Sequence, residues 1–571
     1  MSAPSEASTN PAEILSSFAT LAPDNPAAHG AFEAVVTYVG GDPESYHGGF
    51  ITRSEDDPES PGHYVFTFDQ LPEVTQGFWR IGKGTSKIDT TRGVDILLAR
   101  PGHNSASLVA NVHAVILLHP DSGAFILRST SKHPIRYLSG DGDDDLILRH
   151  GEQAVLHMTA NRFRFGPLDY LFTFRVEDET RFTIARDAFI QSVTQPASSD
   201  PPHPQLDRLP RQVHHRIRDV IIHKTMGHGA FGMVKSGIHA RTGQPLAIKL
   251  LQWKSGAKGQ IDRELEIAKL FRDVEYPGII PILDAWCEHG CSPPCRRYRS
   301  EEIFMSMPLA RHDFAHADWS GLNADVRLAL FRDTLRGVES LHSRGVMHRD
   351  ISPGNLLILS LDPPMACLCD FGKATTDPTS TETGIGPEHT VAPEVWTSTP
   401  DRPYTNGVDI WSLAYTWLWT ISRLPDWNRS PQCRMDARRH GRLLDLLGRE
   451  TSRGKISRSL AGLLRRMLAF DPDERPTASE ALAEEDVWAA VAASQRVVGA
   501  EGSPDLGLRS PSPEQREAGK RRRFVSPEGQ SEGCDKDAET SYYRVVGSLR
   551  VTDGAGGESP GGARSSVPDT L

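Results

Sequence analysis

The chain has 571 residues, which is too long for one hydrophobic core, so we expect at least two folded domains. Its 74 acidic residues outnumber its 63 basic ones and give a formal net charge of -11, which argues against direct binding of nucleic acid. Seven cysteines do not suit a disulfide framework and no apolar stretch reaches the roughly 18 residues that span a bilayer, so we expect an intracellular protein without membrane contact.

The amino-terminal part divides into a tail, a run of short strands and a spacer. Residues 1–29 are rich in Ser, Ala and Pro, which predicts a disordered tail. Over 30–190, short apolar runs such as Val112 to Leu118 are separated by turn clusters, which predicts an all-β sandwich. Residues 191–212 contain a proline-dense stretch without periodicity, and we expect an extended linker there.

Motifs in the sandwich resemble those of forkhead-associated domains, which read phosphothreonine from loops at one end of the fold. These motifs are Trp79-Arg80-Ile81-Gly82-Lys83, Val94-Asp95-Ile96-Leu97-Leu98, Val112-His113-Ala114-Val115-Ile116, Phe163-Arg164-Phe165-Gly166 and Phe172-Thr173-Phe174. The resemblance implies a phosphoprotein partner. Against it, Lys83 replaces an arginine, Ala110 replaces a serine and His133-Pro134 takes the place of an Asn-Gly pair. A sandwich used only for packing or protein contacts stays open.

A second segment, 213–493, begins with strand character and continues with apolar residues at helical spacing. Its first motif, formed by Gly227, Gly229 and Gly232, has the spacing of a glycine-rich loop between two strands. In such a loop, backbone N–H groups close over nucleotide phosphates. Lys249 follows at the distance of a third strand, where an ammonium group can contact those phosphates.

That lysine needs a carboxylate to fix its position, and the next helical segment offers Glu264 and Glu266. Apolar residues follow Glu264 one, three, four and seven positions later and match a buried helix face better than those after Glu266. We therefore expect Glu264 to be the partner of Lys249.

Two short loops carry the strongest signal in the chain. They read His348-Arg349-Asp350-Ile351-Ser352-Pro353-Gly354-Asn355 and Asp370-Phe371-Gly372. Asp350 is a candidate to orient a hydroxyl group, while the oxygens of Asn355 and Asp370 are hard ligands that suit Mg2+. The two loops together predict a phosphoryl-transfer site that uses ATP and Mg2+.

This series of motifs resembles that of eukaryotic-type protein kinases, most closely the Ser/Thr kind. It continues with Ala392-Pro393-Glu394, Asp409-Ile410-Trp411-Ser412-Leu413 and Asp471-Pro472-Asp473-Glu474-Arg475-Pro476. The resemblance implies a bilobal α+β fold, a pairing of Arg475 with Glu394, and transfer of the ATP γ-phosphate to protein substrates in signalling. It also implies an adenine slot, with Val234, Ala247, Met307 and Ala310 as its lining.

Two departures from the family pattern bear on activity. Ser352 stands where Ser/Thr kinases usually carry lysine, and Pro387 follows Gly386 where they usually carry threonine. A catalytically impaired scaffold therefore stays open as an alternative, as does an adaptor whose main activity is phosphopeptide binding. The arrangement that tyrosine kinases place after the catalytic aspartate is absent, so we favour Ser/Thr acceptors.

Regulatory signals follow the catalytic loop. Arg349 is a candidate to pair with a phosphate on the segment that begins at Asp370 and ends at Glu394, which is rich in Ser and Thr. Residues 494–571 are rich in Gly, Ser, Pro and charge, which predicts a disordered tail. Its basic cluster, Lys520-Arg521-Arg522-Arg523, predicts conditional entry into the nucleus in addition to the cytoplasm.

Overall fold

The structure is a computed structural model. It describes residues 17–39, 47–53, 62–69, 77–84, 93–100, 107–138, 146–193, 202–207, 209, 215–229, 232–252, 258–271, 276–287, 302–386, 389–422, 424 and 435–489. The predicted carboxy-terminal tail and its basic cluster lie outside these ranges. None of the described helices is both long and apolar enough to cross a membrane.

The amino-terminal domain contains two β-sheets and two helices. Its strands are β1 (Ser17–Pro23), β2 (Ile51–Thr52), β3 (His63–Thr67), β4 (Phe78–Gly82), β5 (Ile96–Leu97), β6 (Ala114–Leu118), β7 (Phe125–Ser129), β8 (Ile135–Leu138), β9 (Leu146–Leu148), β10 (Gln153–Val155), β11 (Ala160–Phe165) and β12 (Leu168–Phe174). Its helices are α1 (Pro26–Val39) and α2 (Glu179–Val193). One sheet has the order β2-β3-β1-β12-β11-β8-β9 and the other has the order β10-β7-β6-β4-β5.

Aromatic side chains fill the space between the sheets. Phe66 of one sheet meets the fully buried Trp79 of the other, with ring centroids 5.9 Å apart, and also contacts Phe172 of its own sheet. Large rings remove much apolar area from water per residue, so this cluster supplies a core for a domain of short strands. Trp79 also stacks on Phe189 of α2 at 5.2 Å, which fixes that helix against the sandwich.

The prediction of a disordered tail over 1–29 was wrong from Ser17 onward. Strand β1 pairs with both β3 and β12, inside the larger sheet, and Ala19 and Leu21 are fully buried. The wholly β prediction for 30–190 also missed α1 and α2. The buried face of α1 consists of Ala28, Ala31, Phe32 and Val35, and its two alanines contribute little to a hydrophobic pattern in the sequence.

The expected extended linker, 191–212, is described only in part, because residues 194–201, 208 and 210–212 lie outside the described ranges, and the described part differs from the prediction. Helix α2 continues to Val193, and residues 202–207 pack against both domains. Leu206 belongs to a buried cluster that contains Ile126 of the sandwich and Ile238 of the following domain. The two domains also contact each other directly, because the Val155 amide donates a hydrogen bond of 2.8 Å to the Ala240 carbonyl.

The second domain has two lobes. The small lobe consists of β13 (His215–Ile217), β14 (Val220–Gly229), β15 (Gly232–His239), β16 (Pro245–Gln252), α3 (Lys258–Leu270), β17 (Asp284–Cys287) and β18 (Glu302–Pro308). Its strands form an antiparallel sheet with the order β13-β14-β15-β16-β18-β17. The sheet places β16 beside β18, so paired residues of the two strands, such as Ala247 and Met307, lie on the same face of the sheet.

The large lobe is mostly helical. It contains β19 (His312–Asp313), α4 (Ala324–His342), β20 (Leu356–Leu361), β21 (Pro364–Leu368), α5 (Gly407–Ile421), α6 (Ala437–Ser452), α7 (Arg458–Met467) and α8 (Ala478–Leu482). The Asn323 side chain caps α4 by accepting a hydrogen bond from the Val326 amide. Helix α5 is buried over nearly its whole length, which makes it a rigid base for the loops above it.

Candidate active site

The catalytic loop, 348–355, is anchored from below by Asp409 in the first turn of α5. The Asp409 carboxylate accepts hydrogen bonds of 2.8 Å from the backbone amides of His348 and Arg349, and one of 3.0 Å from His342. Burial acts to raise the pKa of Asp409, but the hydrogen bond from His342 and the other contacts outweigh it and lower the pKa. A carboxylate that stays ionised can therefore hold the loop.

This anchoring stabilises backbone conformations that side chains usually avoid. Arg349 and Asp370 have φ angles of 64° and 65°, in the left-handed region. Such residues cost about 1–3 kcal/mol each and persist only where the surroundings fix them. Here a backbone hydrogen bond of 3.0 Å from Cys369 to Asn355 joins the loop of Asp370 to the catalytic loop.

The Asp350 side chain is held by two neighbours. Its Oδ2 accepts a hydrogen bond of 3.0 Å from the Asn355 amide group, and its Oδ1 lies 3.1 Å from the ammonium group of Lys373. Burial raises the pKa of Asp350 above its ordinary value, and the charge of Lys373 opposes this rise in part. The carboxylate is thus oriented by hydrogen bonds through both of its oxygens.

Lys249 connects the two lobes at the back of the cleft. Its ammonium group lies 2.5 Å from Glu264 of α3 and 2.8 Å from Asp370. Burial alone would lower the pKa of Lys249, but the two carboxylates outweigh it and raise the pKa. Glu264 is 4% exposed, whereas Glu266 is on the exposed side of the same helix. The structure therefore brings Lys249, Glu264 and Asp370 together.

The glycine-rich motif lies at the facing ends of β14 and β15. Gly227 and Gly229 are in β14 and Gly232 opens β15, while residues 230 and 231 lie outside the described part of the chain. Gly232 packs so closely on β16 that a Cβ atom there would lie 1.8 Å from the Leu250 carbonyl oxygen. A side chain at this position would push the two strands apart.

Three of the residues predicted to line an adenine slot, Val234, Ala247 and Met307, lie on the adjacent strands β15, β16 and β18. Val234 is opposite Lys249 in the β15–β16 register, and Ala247 is opposite Met307 in the β16–β18 register. These pairs place small and apolar side chains beside the lysine. Ala310 follows β18, and its carbonyl accepts a hydrogen bond of 2.8 Å from His203 in the linker.

Asn355 and Asp370 suit a Mg2+ ion because each has a side-chain oxygen that is not used in the hydrogen bonds described below. The hydrogen bonds of the Asn355 side chain use its nitrogen, and those of Asp370 use Oδ1, toward Lys249 and the Gly372 amide. One oxygen of each side chain therefore remains as a hard donor. Among the described residues no cluster of three or more His, Cys, Asp or Glu side chains could hold a metal.

Arg349 connects the catalytic loop to the activation segment, 370–394. Its guanidinium group donates to the Lys373 carbonyl at 2.8 Å and to Ser380 and Glu382 at 3.1 Å each. At the end of the segment, Arg475 pairs with both oxygens of Glu394 at 2.6 and 2.8 Å, the pairing that the sequence predicted. Pro387 lies outside the described residues.

Aromatic rings connect α3 to the catalytic loop. Phe371 stacks on Phe271, which follows α3, with centroids 6.2 Å apart, and its other neighbour is His348 at 5.6 Å. The stack fixes the position of α3 relative to the large lobe. Because α3 carries Glu264, the stack also supports the contact between Glu264 and Lys249.

Sequence reasoning missed two charged residues of this site, Lys373 and Glu382. Lys373 directly follows the Asp370-Phe371-Gly372 motif, and a lysine there was a usable signal because the catalytic loop itself carries the neutral Ser352. Glu382 lies in the segment from Asp370 to Glu394, in which only Ser and Thr were considered as partners for Arg349. Neither contact is determined by spacing, because both depend on how the segment folds back onto the catalytic loop.

In the sandwich, two of the positions compared with forkhead-associated domains, Lys83 and Ala110, lie next to each other. The Lys83 amide donates to the Ala110 carbonyl at 3.0 Å, and the Ala110 amide donates to the buried ring of His113 at 3.2 Å. Burial, the largest cause, and the charge of His133 lower the pKa of His113 to about 4. The neutral ring therefore serves to hold this loop.

Comparison with known proteins covers the second domain. The family model of the protein kinase domain matches residues 220–487. The chain is 28% identical over 289 residues to Mitogen-activated protein kinase 1 of Oryza sativa subsp. japonica, an alignment that covers 45% of this chain and 69% of that protein. Identity is 28% over 291 residues with Mitogen-activated protein kinase 10 of Arabidopsis thaliana, covering 46% and 71%. It is 30% over 294 residues with Mitogen-activated protein kinase 2 of Oryza sativa subsp. japonica, covering 45% and 71%.

Proposed function

Because this chain belongs to the protein kinase family and is a Ser/Thr protein kinase, we propose that it is catalytically active and phosphorylates intracellular signalling proteins. The donor is ATP, and the acceptors are Ser and Thr hydroxyl groups. The observation that carries the proposal is the chain of contacts from Glu264 through Lys249 to Asp370, next to the hydrogen-bonded pair of Asp350 and Asn355.

Each residue has a role that follows from its surroundings. Lys249, fixed by its two carboxylates, presents an ammonium group to the nucleotide phosphates. Asp350 orients the acceptor hydroxyl group and accepts its proton, and Asn355 holds that carboxylate in place. Asn355 and Asp370 would hold a Mg2+ ion, which would supply charge neutralisation at the phosphate oxygens. Catalysis of this kind depends mainly on position and electrostatics.

The nucleotide site is formed by the small lobe and the segment after it. Gly227, Gly229 and Gly232 leave backbone amides accessible to phosphates, and the apolar slot beside Lys249 suits a flat adenine ring. The members of that slot are Val234, Ala247, Met307 and Ala310. Support for this assignment comes from the strand register, which aligns Ala247 with Met307 and Val234 with Lys249.

A catalytically impaired scaffold is disfavoured by the ion pairs of the site. Taking the charges of Lys249 and Glu264 out of water costs desolvation free energy even when they are paired. A domain without phosphoryl transfer would gain nothing from that cost. The neutral Ser352 does remove a positive charge from the catalytic loop, but Lys373 brings another to Asp350.

For the sandwich, we propose a forkhead-associated-like domain that contacts protein partners. Support comes from its two packed sheets and from the contact between the loops of Lys83 and Ala110. Because Ala110 has no hydroxyl group to donate to a phosphate, we expect the domain to bind a phosphoprotein no better than the same protein without phosphate.

The test of activity uses the full chain. Purified protein is incubated with Mg2+, γ-labelled ATP and a mixture of protein substrates, beside an Asp350→Asn variant that keeps the hydrogen-bonding shape of the side chain. We expect label on Ser and Thr in the wild-type reaction and at least about a hundredfold less with the variant. Equal labelling in both reactions, or none in either, would contradict the proposal.

A further inference from the structure

Lys373 lies at the acceptor side of the proposed site. Its ammonium nitrogen is 3.1 Å from Oδ1 of Asp350, the residue that receives the acceptor proton. About one third of the Lys373 side chain is exposed, so a bound substrate can reach it. The cation thus lies where the hydroxyl group and the transferred phosphoryl group must meet.

The other cationic side chains near Asp350, those of Lys249 and Arg349, contact other residues. Lys249 lies between Glu264 and Asp370, and the guanidinium group of Arg349 contacts Ser380 and Glu382. At position 352 the catalytic loop carries a buried, neutral serine. Within the described residues, Lys373 is therefore the cation that faces Asp350.

The backbone around Lys373 is fixed on both sides. Its carbonyl accepts the hydrogen bond from the Arg349 guanidinium group, and the next residue, Ala374, is fully buried. Thr375 and Met347 then exchange two backbone hydrogen bonds of 2.9 Å. Because the backbone of this turn is already ordered, only the side chain of Lys373 has to lose conformational freedom to reach Asp350.

We propose that Lys373 is a catalytic residue that holds Asp350 before transfer and contacts the moving phosphoryl group during it. The inference rests on the proposed kinase activity. In the step, the acceptor oxygen forms a bond to the γ-phosphorus while the bond from that phosphorus to the bridging oxygen breaks. The electron pair of that bond leaves with ADP, the hydroxyl proton passes to Asp350, and Lys373 remains protonated. Its charge balances the negative charge on the equatorial oxygens.

Four variants of the full chain test this role. Lys373→Met removes the charge and keeps the length, Lys373→Arg keeps the charge, and Lys269→Met changes an exposed lysine of α3 as a control. The double variant Lys373→Met with Ser352→Lys moves the charge onto the catalytic loop. We expect Lys373→Met to lower kcat by about 10- to 100-fold with KM for ATP changed less than about threefold. The kcat of Lys373→Arg and that of the double variant should be at least about fivefold higher than the kcat of Lys373→Met. The kcat of Lys269→Met should match that of the wild type.

Binding measurements separate a catalytic role from a structural one. We expect Lys373→Met to bind ADP as the wild type does, with an unchanged unfolding midpoint, but to bind ADP with aluminium fluoride, which imitates the transferring phosphoryl group, at least about tenfold more weakly. Equal loss for both ligands, or a kcat within twofold of the wild type, would overturn the proposal. If the wild type transfers no phosphate, the proposed function fails, whereas the comparison of the two ligands still decides the role of Lys373.

Discussion

Lys249 illustrates how a buried charge acquires a fixed position. Two carboxylates surround its ammonium group, one from α3 and one from the loop of Asp370. A hydrogen bond between charged groups contributes about 1.5–3 kcal/mol to stability. Removal of one partner leaves the charge of the other buried without compensation. The position of the lysine therefore depends on α3 staying in place.

Replacing Glu264 with glutamine should weaken this arrangement with little change in shape. We expect kcat/KM to fall by about 10- to 100-fold, because about 1.5–3 kcal/mol of a charged hydrogen bond is lost and about 1.4 kcal/mol corresponds to a factor of ten. The matched control is Glu266→Gln on the exposed side of the same helix, which should retain wild-type kinetics in steady-state assays of phosphate transfer. Equal effects of the two changes would disprove a special role for Glu264.

At the scale of elements, the catalytic loop is held from two directions. Asp409 of α5 holds its backbone, and the activation segment holds the side chain of Arg349. Glu382 supplies a negative charge to Arg349 without modification, and Ser380 lies at the same guanidinium group. This geometry stabilises the folded activation segment through unmodified side chains.

We expect Glu382→Gln to lower kcat by up to about fivefold, since the exposed side of this ion pair limits its contribution to about 1 kcal/mol. The ammonium and guanidinium groups of the site stay in place, so KM for ATP should change little. Asp401→Asn, an exposed change of the same charge, serves as the control in the kinetic assay. A kcat for Glu382→Gln equal to that of the control would show that the pair with Arg349 does not support the active segment.

At the scale of the whole molecule, His203 joins the two domains. Its amide donates to the Asp121 carbonyl of the sandwich at 2.7 Å, and its ring donates to the Ala310 carbonyl, just after β18, at 2.8 Å. Burial is the largest cause that lowers the pKa of His203, the hydrogen bond to Ala310 opposes it, and the charges of Arg311, His312 and Lys224 add to the lowering, with a net pKa of about 4.

Stability should therefore depend on the protonation of His203. Since the folded pKa lies below the ordinary value of 6.5, the neutral ring stabilises the fold fully above pH 6.5, and this stabilisation is lost as the pH falls toward 4. The contribution is at most roughly 3 kcal/mol. We expect the unfolding midpoint of His203→Gln to fall less between pH 6.5 and 4 than that of the wild type, as measured by thermal unfolding. His150→Gln, at an exposed position, should keep the wild-type slope; parallel slopes for all three proteins would rule out this linkage.

The sequence determined the kind of chemistry, because the candidate residues occur as short motifs whose internal spacing fixes local geometry. Asp350 and Asn355 share one loop, and helical periodicity alone favoured Glu264 over Glu266. The strand character of the sandwich was visible in the same way, from alternation and turn residues over a few positions.

Tertiary structure decided the features that depend on contacts between distant segments. Strand β1 has a composition typical of a tail and is ordered by pairing with β3 and β12. Lys373 reaches Asp350, Glu382 reaches Arg349 and His203 reaches Ala310 only after the chain has folded back on itself. Local patterns encode backbone conformation, whereas the partner of a long charged side chain is set by which loops the hydrophobic core brings within a few ångströms.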